Sequence, residues 1–169
     1  MITRHPWNRL LAWLIDWLCI LIWVTIVAAI GGALYATGVA RSLDPVSGNI
    51  VGFIALIVPV TMGIAWRESS AREATPGKRV RHLAVTSGGA RISFGRALLR
   101  NAVKIALPWE LGHTVVFTLA MGNGTVPVWI VPITALTYAL PIVYVVTLFV
   151  GDGRTLYDRV AGTVVTLRN

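Results

Sequence analysis

The sequence predicts an all-α polytopic membrane protein with four transmembrane helices, both termini in the cytoplasm, and a small cytoplasmic β hairpin or sheet. Two observations carry this prediction. Hydrophobic residues make up 56% of the 169 residues and charged residues only 13%, whereas soluble domains contain roughly 25% charged residues. In addition, fourteen of the fifteen Lys and Arg residues lie on one side of a four-segment hydrophobic pattern.

Four apolar runs define the predicted membrane spans. Each has about 17 or more residues, enough at about 1.5 Å rise per residue to cross most of a ~30 Å hydrocarbon layer. The runs cover residues 10–36, 50–66, 105–121 and 126–150. A cytoplasmic loop, 67–104, and a cytoplasmic tail, 151–169, complete a single membrane domain. A cleavable signal peptide is the alternative for the first run, but that run is longer than the usual apolar stretch of about 7 to 15 residues.

The distribution of cations predicts the orientation. Two cations lie in the N-terminal region, nine in the loop and the start of the third span, and three in the tail, whereas the opposite side has only Arg41. Lys and Arg are retained on the cytoplasmic side, so we expect a plasma (inner) membrane protein with both termini cytoplasmic. The net charge of +8 is expected to attract anionic lipid headgroups. Nucleic acid is not a predicted partner, because no groove-reading motif is present.

The cytoplasmic loop has room for a small β structure. Residues 81–86 predict a short strand, 87–89 a turn that uses positive φ, and 90–93 a returning strand. The β-branched segment 163–167 lies on the same side and is expected to add a third strand. From Phe94 to Lys104, an apolar face edged by cations predicts an interfacial helix. A longer third span whose cations reach outward is the alternative. No convincing internal repeat is predicted in the chain.

Ionisable residues inside the spans are the candidate functional groups. Asp16 lies seven residues after Arg9, on the same helix face and about 10 Å along the axis, while Glu110 and His113 are three residues apart. An ionised group at the bilayer centre costs about 2.5 kcal/mol or more, so such acids usually face the helix bundle, and burial raises a carboxyl pKa. Asp16, Glu110 and His113 are predicted to bind a proton or cation. The alternatives are helix-interface contacts for Asp16 and polar packing for His113.

Other features argue against catalysis. The motifs GxSxG, HExxH and GxxxxGK[ST] do not occur, and the single cysteine, Cys19, can form neither an internal disulfide nor a Cys-rich metal site. An enzyme, a bound metal and a cofactor are therefore not predicted. Interior prolines are expected to kink the later spans and to leave carbonyls for neighbours, water or an ion to satisfy. They are Pro59, Pro108, Pro132 and Pro141.

Four sequence blocks carry a resemblance to a known family. They are RLLAWLID at 9–16, TPGKR at 75–79, GGARISFGRALLRN at 88–101 and RTLYDRVAGT at 154–163. In this order they extend across nearly the whole chain, from residue 9 to residue 163. The chain resembles the RDD family of integral membrane proteins. The resemblance implies that Arg9, Asp16 and Asp158 form a functional triad. Asp158 could pair with Arg9 and hold the tail against the first helix, or the two could form a solvated pair of little energetic value.

The resemblance also implies transport, and cation/proton antiport has been proposed for some family members. We therefore predict a small cation/proton exchanger. Asp16 would be the exchangeable carboxylate, Arg9 and Asp158 a cytoplasmic latch, and Glu110 and His113 auxiliary ligands or proton carriers. The predicted partners are monovalent cations, protons, anionic lipids and further copies of the chain, because four helices make a thin wall around a pathway. A nontransporting scaffold or assembly factor acting through the loop and tail is the alternative, and lipid handling is a third.

Overall fold

The structure, a computed structural model, describes residues 4–39, 43–121 and 124–168. Arg41, the single cation expected on the outer side, lies outside the described residues, as do parts of the predicted outer loops at 37–49 and 122–125. Within the described chain, three helical segments are long and apolar enough to cross a membrane: Pro6–Ala36, Pro45–Ser69 and Ile130–Phe149. With a three-stranded sheet beside them, the prediction of a mostly helical membrane protein with a small sheet is confirmed.

The first helix, α1 (Pro6–Ala36), presents only a narrow stripe to the rest of the protein. Its buried residues are Ala12, Asp16 and Ile20, which are four residues apart and therefore lie on one face. On the other faces apolar side chains are open, with Leu18 65% and Ile22 67% exposed. Such a helix cannot satisfy its apolar surface within this chain, and lipid is the surrounding that suits it.

The second helical segment combines α2 (Pro45–Gly52), a π-helical turn (Phe53–Ile57, the first π turn) and α3 (Val58–Ser69). Asp44 begins α2 by accepting hydrogen bonds from the backbone N–H groups of Val46 and Ser47, which have no partner inside the helix. The next long segment has the same design, with α5 (Phe94–Asn101), a second π turn (Ala102–Ala106) and α6 (Leu107–Met121).

A proline follows each π turn. Val58 and Leu107 donate five residues back, to Phe53 and Ala102, and the next residues are Pro59 and Pro108, which have no N–H to donate. Side chains from other helices then satisfy nearby carbonyls. Trp23 Nε1 donates to Ala55 O at 3.1 Å, and Tyr144 Oη donates to Val103 O at 2.7 Å. The expectation that neighbours satisfy carbonyls near the prolines is confirmed at these two positions.

The later spans differ in detail from the sequence prediction. The predicted interfacial helix from Phe94 continues through the second π turn into α6, so that residues 94–121 form one helical segment. α6 itself has 15 residues, and the count of four spans stays a prediction, as does the sidedness of the termini. Pro132 was expected to interrupt the last span. It lies instead in the first turn of α7 (Ile130–Phe149), where a helix needs no N–H from it.

The predicted β cap is present. β1 (Leu83–Ser87) pairs with β2 (Ala90–Arg91) across a turn in which Gly88 and Gly89 both have positive φ. β3 (Val164–Leu167), from the tail, pairs antiparallel with the other edge of β1. The sheet encloses a small apolar core with α1, α3 and α5. This core consists of Ala12, Ala65, Leu83, Val85, Ile92, Ala97 and Val165.

The cap contains an internal repeat that the sequence analysis missed. Residues 75–87 (TPGKRVRHLAVTS) and 155–167 (TLYDRVAGTVVTL) each form a threonine-capped short helix, a turn and a strand, and five of the thirteen positions are identical. The helices are α4 (Pro76–Val80) and α8 (Leu156–Val160). His82 and Gly162 occupy equivalent turn positions with φ of 52° and 62°. Val85 pairs with Val165, its own counterpart, so an approximate two-fold axis passes between them.

Candidate functional site

A buried ion-pair network lies where the β cap meets the helices. It consists of Arg9, Glu68, Lys78, Arg100 and Asp158. The carboxylate of Asp158 is fully buried and belongs to the capping box of α8, in which its Oδ2 accepts from Thr155 N at 3.2 Å and Thr155 Oγ1 at 2.8 Å. The position of this carboxylate is therefore fixed in part by a residue only three positions away in the chain.

Arg9 connects the tail to the first helix. Its Nη2 donates to Asp158 Oδ2 at 2.5 Å, and its Nη1 donates to Gly153 O at 2.6 Å. The pair of Arg9 and Asp158 expected from the sequence is thus present, and it is buried, with 11% and 0% of the two side chains exposed. A charge-assisted contact in dry surroundings is stronger than the solvated pair that was the alternative.

Arg100 is the centre of the network. Its guanidinium is 1% exposed, donates to Asp158 Oδ1 at 2.9 Å, and holds both oxygens of Glu68 at 2.7 and 2.8 Å. The ring of Tyr157 lies against it, 5.0 Å from the guanidinium carbon. The alternative of a longer third span would have placed this cation outward, at the membrane surface. The side chain points inward because the carboxylates of Glu68 and Asp158 lie there. A planar guanidinium has enough N–H donors to bind both.

Glu68 joins the second helical segment to this centre. Besides Arg100, its carboxylate accepts from Lys78 Nζ at 2.8 Å and from Asn101 Nδ2 at 2.8 Å. Glu68 stands at the end of α3, and Asn101 at the end of α5. Every lone-pair direction of a fully buried carboxylate is thereby occupied, which offsets the large cost of removing its charge from water.

The pKa of Asp158 reports the balance of these forces. Burial of the carboxyl group opposes its ionisation, but the guanidinium groups of Arg100 and Arg9 and the hydroxyl group of Thr155 outweigh burial. Together they lower the pKa of Asp158 to about 2. The residue is therefore an anion at neutral pH and acts as a fixed counter-ion.

Asp16 lies in a different environment from the one predicted. Its Oδ2 accepts from Thr75 Oγ1 at 2.6 Å and its Oδ1 from the backbone N–H of Gly77 at 2.8 Å. Gly77 is required here, because a Cβ at this position would lie 1.9 Å from Ala12 O. Through Thr75 Oγ1, which is 3.4 Å from Lys78 Nζ, Asp16 connects to the ion-pair network. A continuous series of polar contacts therefore joins Asp16 to Arg9 through five other side chains.

Comparison with known families agrees with this arrangement. The sequence profile of the RDD family matches residues 3–163, nearly the whole chain. The chain belongs to the RDD family. No curated protein and no solved structure matched it significantly. The triad implied by the family resemblance, Arg9, Asp16 and Asp158, accordingly lies at the two ends of one buried polar system in this RDD protein.

A second cluster of polar side chains lies between α2 and α6. Asn49 Nδ2 donates to Glu110 Oε1 at 2.7 Å and lies 3.4 Å from Thr114 Oγ1, while His113 packs against Gly52 of the same helix as Asn49. We call Asn49, Glu110, His113 and Thr114 the Glu110 cluster. Three of its buried polar atoms have no hydrogen-bond partner among the residues that the structure describes: Asn49 Oδ1, Glu110 Oε2 and His113 Nδ1.

The structure does not join Asp16 to the Glu110 cluster. No hydrogen bond links Asp16 to Glu110 or His113 in the described part of the chain. An aromatic row lies between the two groups instead. Trp17 packs against Trp109 in a tilted arrangement with 5.5 Å between ring centroids, and Trp109 meets His113 edge to face at 6.1 Å. The single binding cluster predicted from the sequence is thus two separate polar groups on either side of this row.

Sequence reasoning missed several members of the ion-pair network. Glu68, Lys78 and Arg100 were not singled out for function, although Lys78 and Arg100 fall inside the blocks that carry the family resemblance. A usable signal was present in the repeat, where Lys78 and Asp158 occupy equivalent positions of the two short helices. Opposite charges at equivalent positions of a two-fold arrangement favour a shared network between the two copies.

Proposed function

We propose that this RDD protein is a small secondary transporter that exchanges a monovalent cation for protons, and that Glu110 is the exchanging carboxylate. The observation that carries the proposal is the buried Glu110 Oε2. Within the described parts of the chain it has no hydrogen-bond partner, and the same holds for two other atoms of the cluster, Asn49 Oδ1 and His113 Nδ1. Buried polar atoms are nearly always satisfied, so three orphans in one cluster call for a ligand.

The chemistry of the Glu110 cluster suits a proton or a small cation. Carboxylate and amide oxygens are hard ligands that bind such cations, and a protonated Glu110 could instead donate a hydrogen bond. A carboxylate that takes either a proton or a cation, but not both, couples the two movements without ATP. Intramembrane acids are functional candidates by default, because their burial is costly.

The contacts of Asp16 favour a positioning role over exchange. Both of its oxygens already accept hydrogen bonds, one from a backbone N–H that cannot turn away. A cation at Oδ2 would have to share that oxygen with Thr75 Oγ1, which also accepts from Lys78. We therefore assign to Asp16 the task of holding α4 against α1, and to Arg9 and Asp158 the task of holding the tail.

The test is ion-driven proton movement in liposomes that contain only this protein, with Na⁺, K⁺ and Li⁺ examined separately. We expect Glu110→Gln to abolish cation-dependent proton flux while the protein stays folded and inserted. Glu73→Gln is the matched control, since Glu73 is an acid in the connection between α3 and α4 and does not belong to the Glu110 cluster. Flux retained in Glu110→Gln but lost in folded Asp16→Asn would return the exchange to Asp16. Silence of well-folded wild type with all three ions would reject exchange.

A nontransporting scaffold or assembly factor is the second candidate. It is favoured by the complete pairing of Arg9, Glu68 and Asp158, which is what a purely structural network requires. In that case the cap would present a partner-binding surface and the network would keep it rigid. Wild-type silence in liposomes, together with capture of a defined partner by the intact cap, would support this function.

The proposed setting is the plasma membrane, with both termini cytoplasmic. The bias of Lys and Arg toward one side supports this orientation. A homodimer or larger oligomer is proposed as well, because the narrow buried stripe of α1 leaves most of that helix open to a neighbour. Cross-linking in membranes and protease access to the tail would test these two points.

A further inference from the structure

Lys104 is a cation with no carboxylate within ion-pair distance in the described part of the chain. Four cations line the cavity beneath the β cap, namely Arg9, Lys78, Arg100 and Lys104, and the first three are held by Glu68 or Asp158. Among the residues that the structure describes, Lys104 forms no ion pair. Its Nζ lies 5.9 Å from the ring centroid of Tyr157, a weak contact that does not neutralise the charge.

The cavity that Lys104 lines is largely apolar. It has a volume of about 380 Å³ and lies between α1, the second π turn with α6, and α7, within the usual range of about 300–1,000 Å³ for ligand pockets. Its apolar walls include Leu10, Trp13, Trp17, Ile105, Val145 and Leu148. The polar part of the lining combines the four cations with one carboxylate, that of Asp16, and the remainder suits hydrocarbon.

The cavity is also reachable from the lipid-facing surface. Trp13 on α1 and Val145 on α7 both line it, yet they keep 45% and 44% of their surfaces exposed. These two residues stand on helices that are candidate membrane spans. A ligand could enter sideways between the two helices without passing through water, which is the route open to a membrane lipid.

We propose that this cavity binds an anionic glycerophospholipid, with one acyl chain between α1 and α7 and the phosphodiester on Lys104. The excess of cations over carboxylates in the lining selects a negative headgroup, since an anion offsets the cost of keeping the partly buried Lys104 charged with no ion-pair partner among the described residues. The apolar walls select a chain, which a soluble anion lacks. This site is separate from the Glu110 cluster, and the proposal does not rest on the proposed exchange.

The experiment uses the tryptophans that line the cavity as probes. Trp13, Trp17 and Trp109 lie on its walls, and brominated acyl chains quench tryptophan fluorescence on contact. The full chain is reconstituted in phosphatidylcholine vesicles that contain a variable fraction of brominated phosphatidylglycerol or, in parallel, brominated phosphatidylcholine. We expect the brominated anionic lipid to quench at a lower mole fraction than the zwitterionic lipid.

Variants locate the preference. Lys104→Gln should lose the preference for the anionic lipid, whereas Lys104→Arg should keep it. Arg79→Gln is the matched control, because Arg79 is an exposed cation of α4 that does not line the cavity. Val145→Phe should reduce quenching by both lipids by narrowing the cavity, and it keeps the proposal testable if Lys104→Gln fails to fold.

Three results would overturn the proposal. They are equal quenching of wild type by the two brominated lipids, an unchanged preference in folded Lys104→Gln, and equal quenching of wild type and folded Val145→Phe. A separate arm distinguishes the source of the anion. If inorganic phosphate in the buffer removes the lipid preference and raises the unfolding temperature without any anionic lipid, then the site serves a soluble anion and the lipid assignment is wrong.

Discussion

Arg100 donates from Nε to Asp158 Oδ1 at 2.9 Å although the two residues are 58 positions apart in the chain. This contact joins the end of α5 to the N-terminal turn of α8. Nη1 of the same guanidinium donates to Glu68 Oε1. One buried cation thus ties together the second helical segment, the third and the tail. The β cap and the helices are expected to unfold as one unit because of it.

Replacement of Arg100 should be severely destabilising. Arg100→Gln leaves two buried carboxylates short of a counter-charge, and breaking a buried ion pair from one side costs about 3–5 kcal/mol. Unfolding in mixed detergent micelles measures the loss. Arg96→Gln is the control on the same helix, because Arg96 makes only an exposed contact with Ser87. A similar, small effect for both variants would contradict a central role for Arg100.

Gly77 is expected to tolerate no side chain. In Gly77→Ala the added Cβ would lie 1.9 Å from Ala12 O and 3.0 Å from Asp16 Oδ1, so α4 must move away from α1, at a cost of roughly 1–3 kcal/mol. Gly95→Ala is the comparison, since a Cβ there meets nothing within 4 Å and alanine favours the helix. The two unfolding free energies measured side by side decide the matter, and equal stability of the two variants would speak against the close approach.

The stability of the protein should fall in acid because of Asp158. Its folded pKa of about 2 lies below the unfolded value of about 3.9, so ionised Asp158 contributes stability above about pH 4 and loses it as pH falls toward 2. Unfolding temperatures across this window should decline more steeply for wild type than for Asp158→Asn. Asp152→Asn, at an exposed pair with Arg159, should retain the wild-type slope. A wild-type slope in Asp158→Asn would assign the acid transition elsewhere.

The hydroxyl group of Thr75 should matter more than its shape. Thr75→Val keeps the volume but removes the donor to Asp16 Oδ2, leaving a buried carboxylate oxygen unpaired at a cost of about 1–3 kcal/mol. Thr75→Ser keeps the hydroxyl and should be closer to wild type. Thermal unfolding in detergent, without a chemical denaturant, would compare the stabilities of the two variants. If the valine variant were as stable as the serine variant, the hydrogen bond would contribute little.

Much of the fold could be predicted because its signals are local. Long apolar runs predicted helical spans within a few residues of Pro6–Ala36 and Pro45–Ser69. Alternation and turn residues predicted the hairpin, and β-branched residues predicted the third strand. Pro132 was misread because its effect depends on where α7 begins. Helix starts shift by several residues in apolar sequence that lacks a capping signal.

The candidate site was only partly predictable. Arg9 and Asp158 were paired correctly from the family resemblance, whereas Asp16 was assigned to the wrong neighbours. Its true partners, Thr75 and Gly77, lie on a five-residue helix that has no periodicity to reveal which surface it contacts. Lys78 and Arg100 looked like loop and interface cations, since a charged residue near a helix end has the same local sequence whether it is solvated or buried.

The sequence by itself determined the membrane character of the chain, the strands of the cap and the presence of acids among apolar residues, because hydropathy and period are properties of neighbouring residues. Only the tertiary structure decided which charges meet. Arg100 binds Glu68 and Asp158, Asp16 binds the turn at Thr75, and Lys104 is left to an apolar cavity. The energy of an ion pair varies with the inverse of the distance between the charges, and it also depends on how deeply they are buried. Both the distance and the burial are set by how remote segments of the chain pack together.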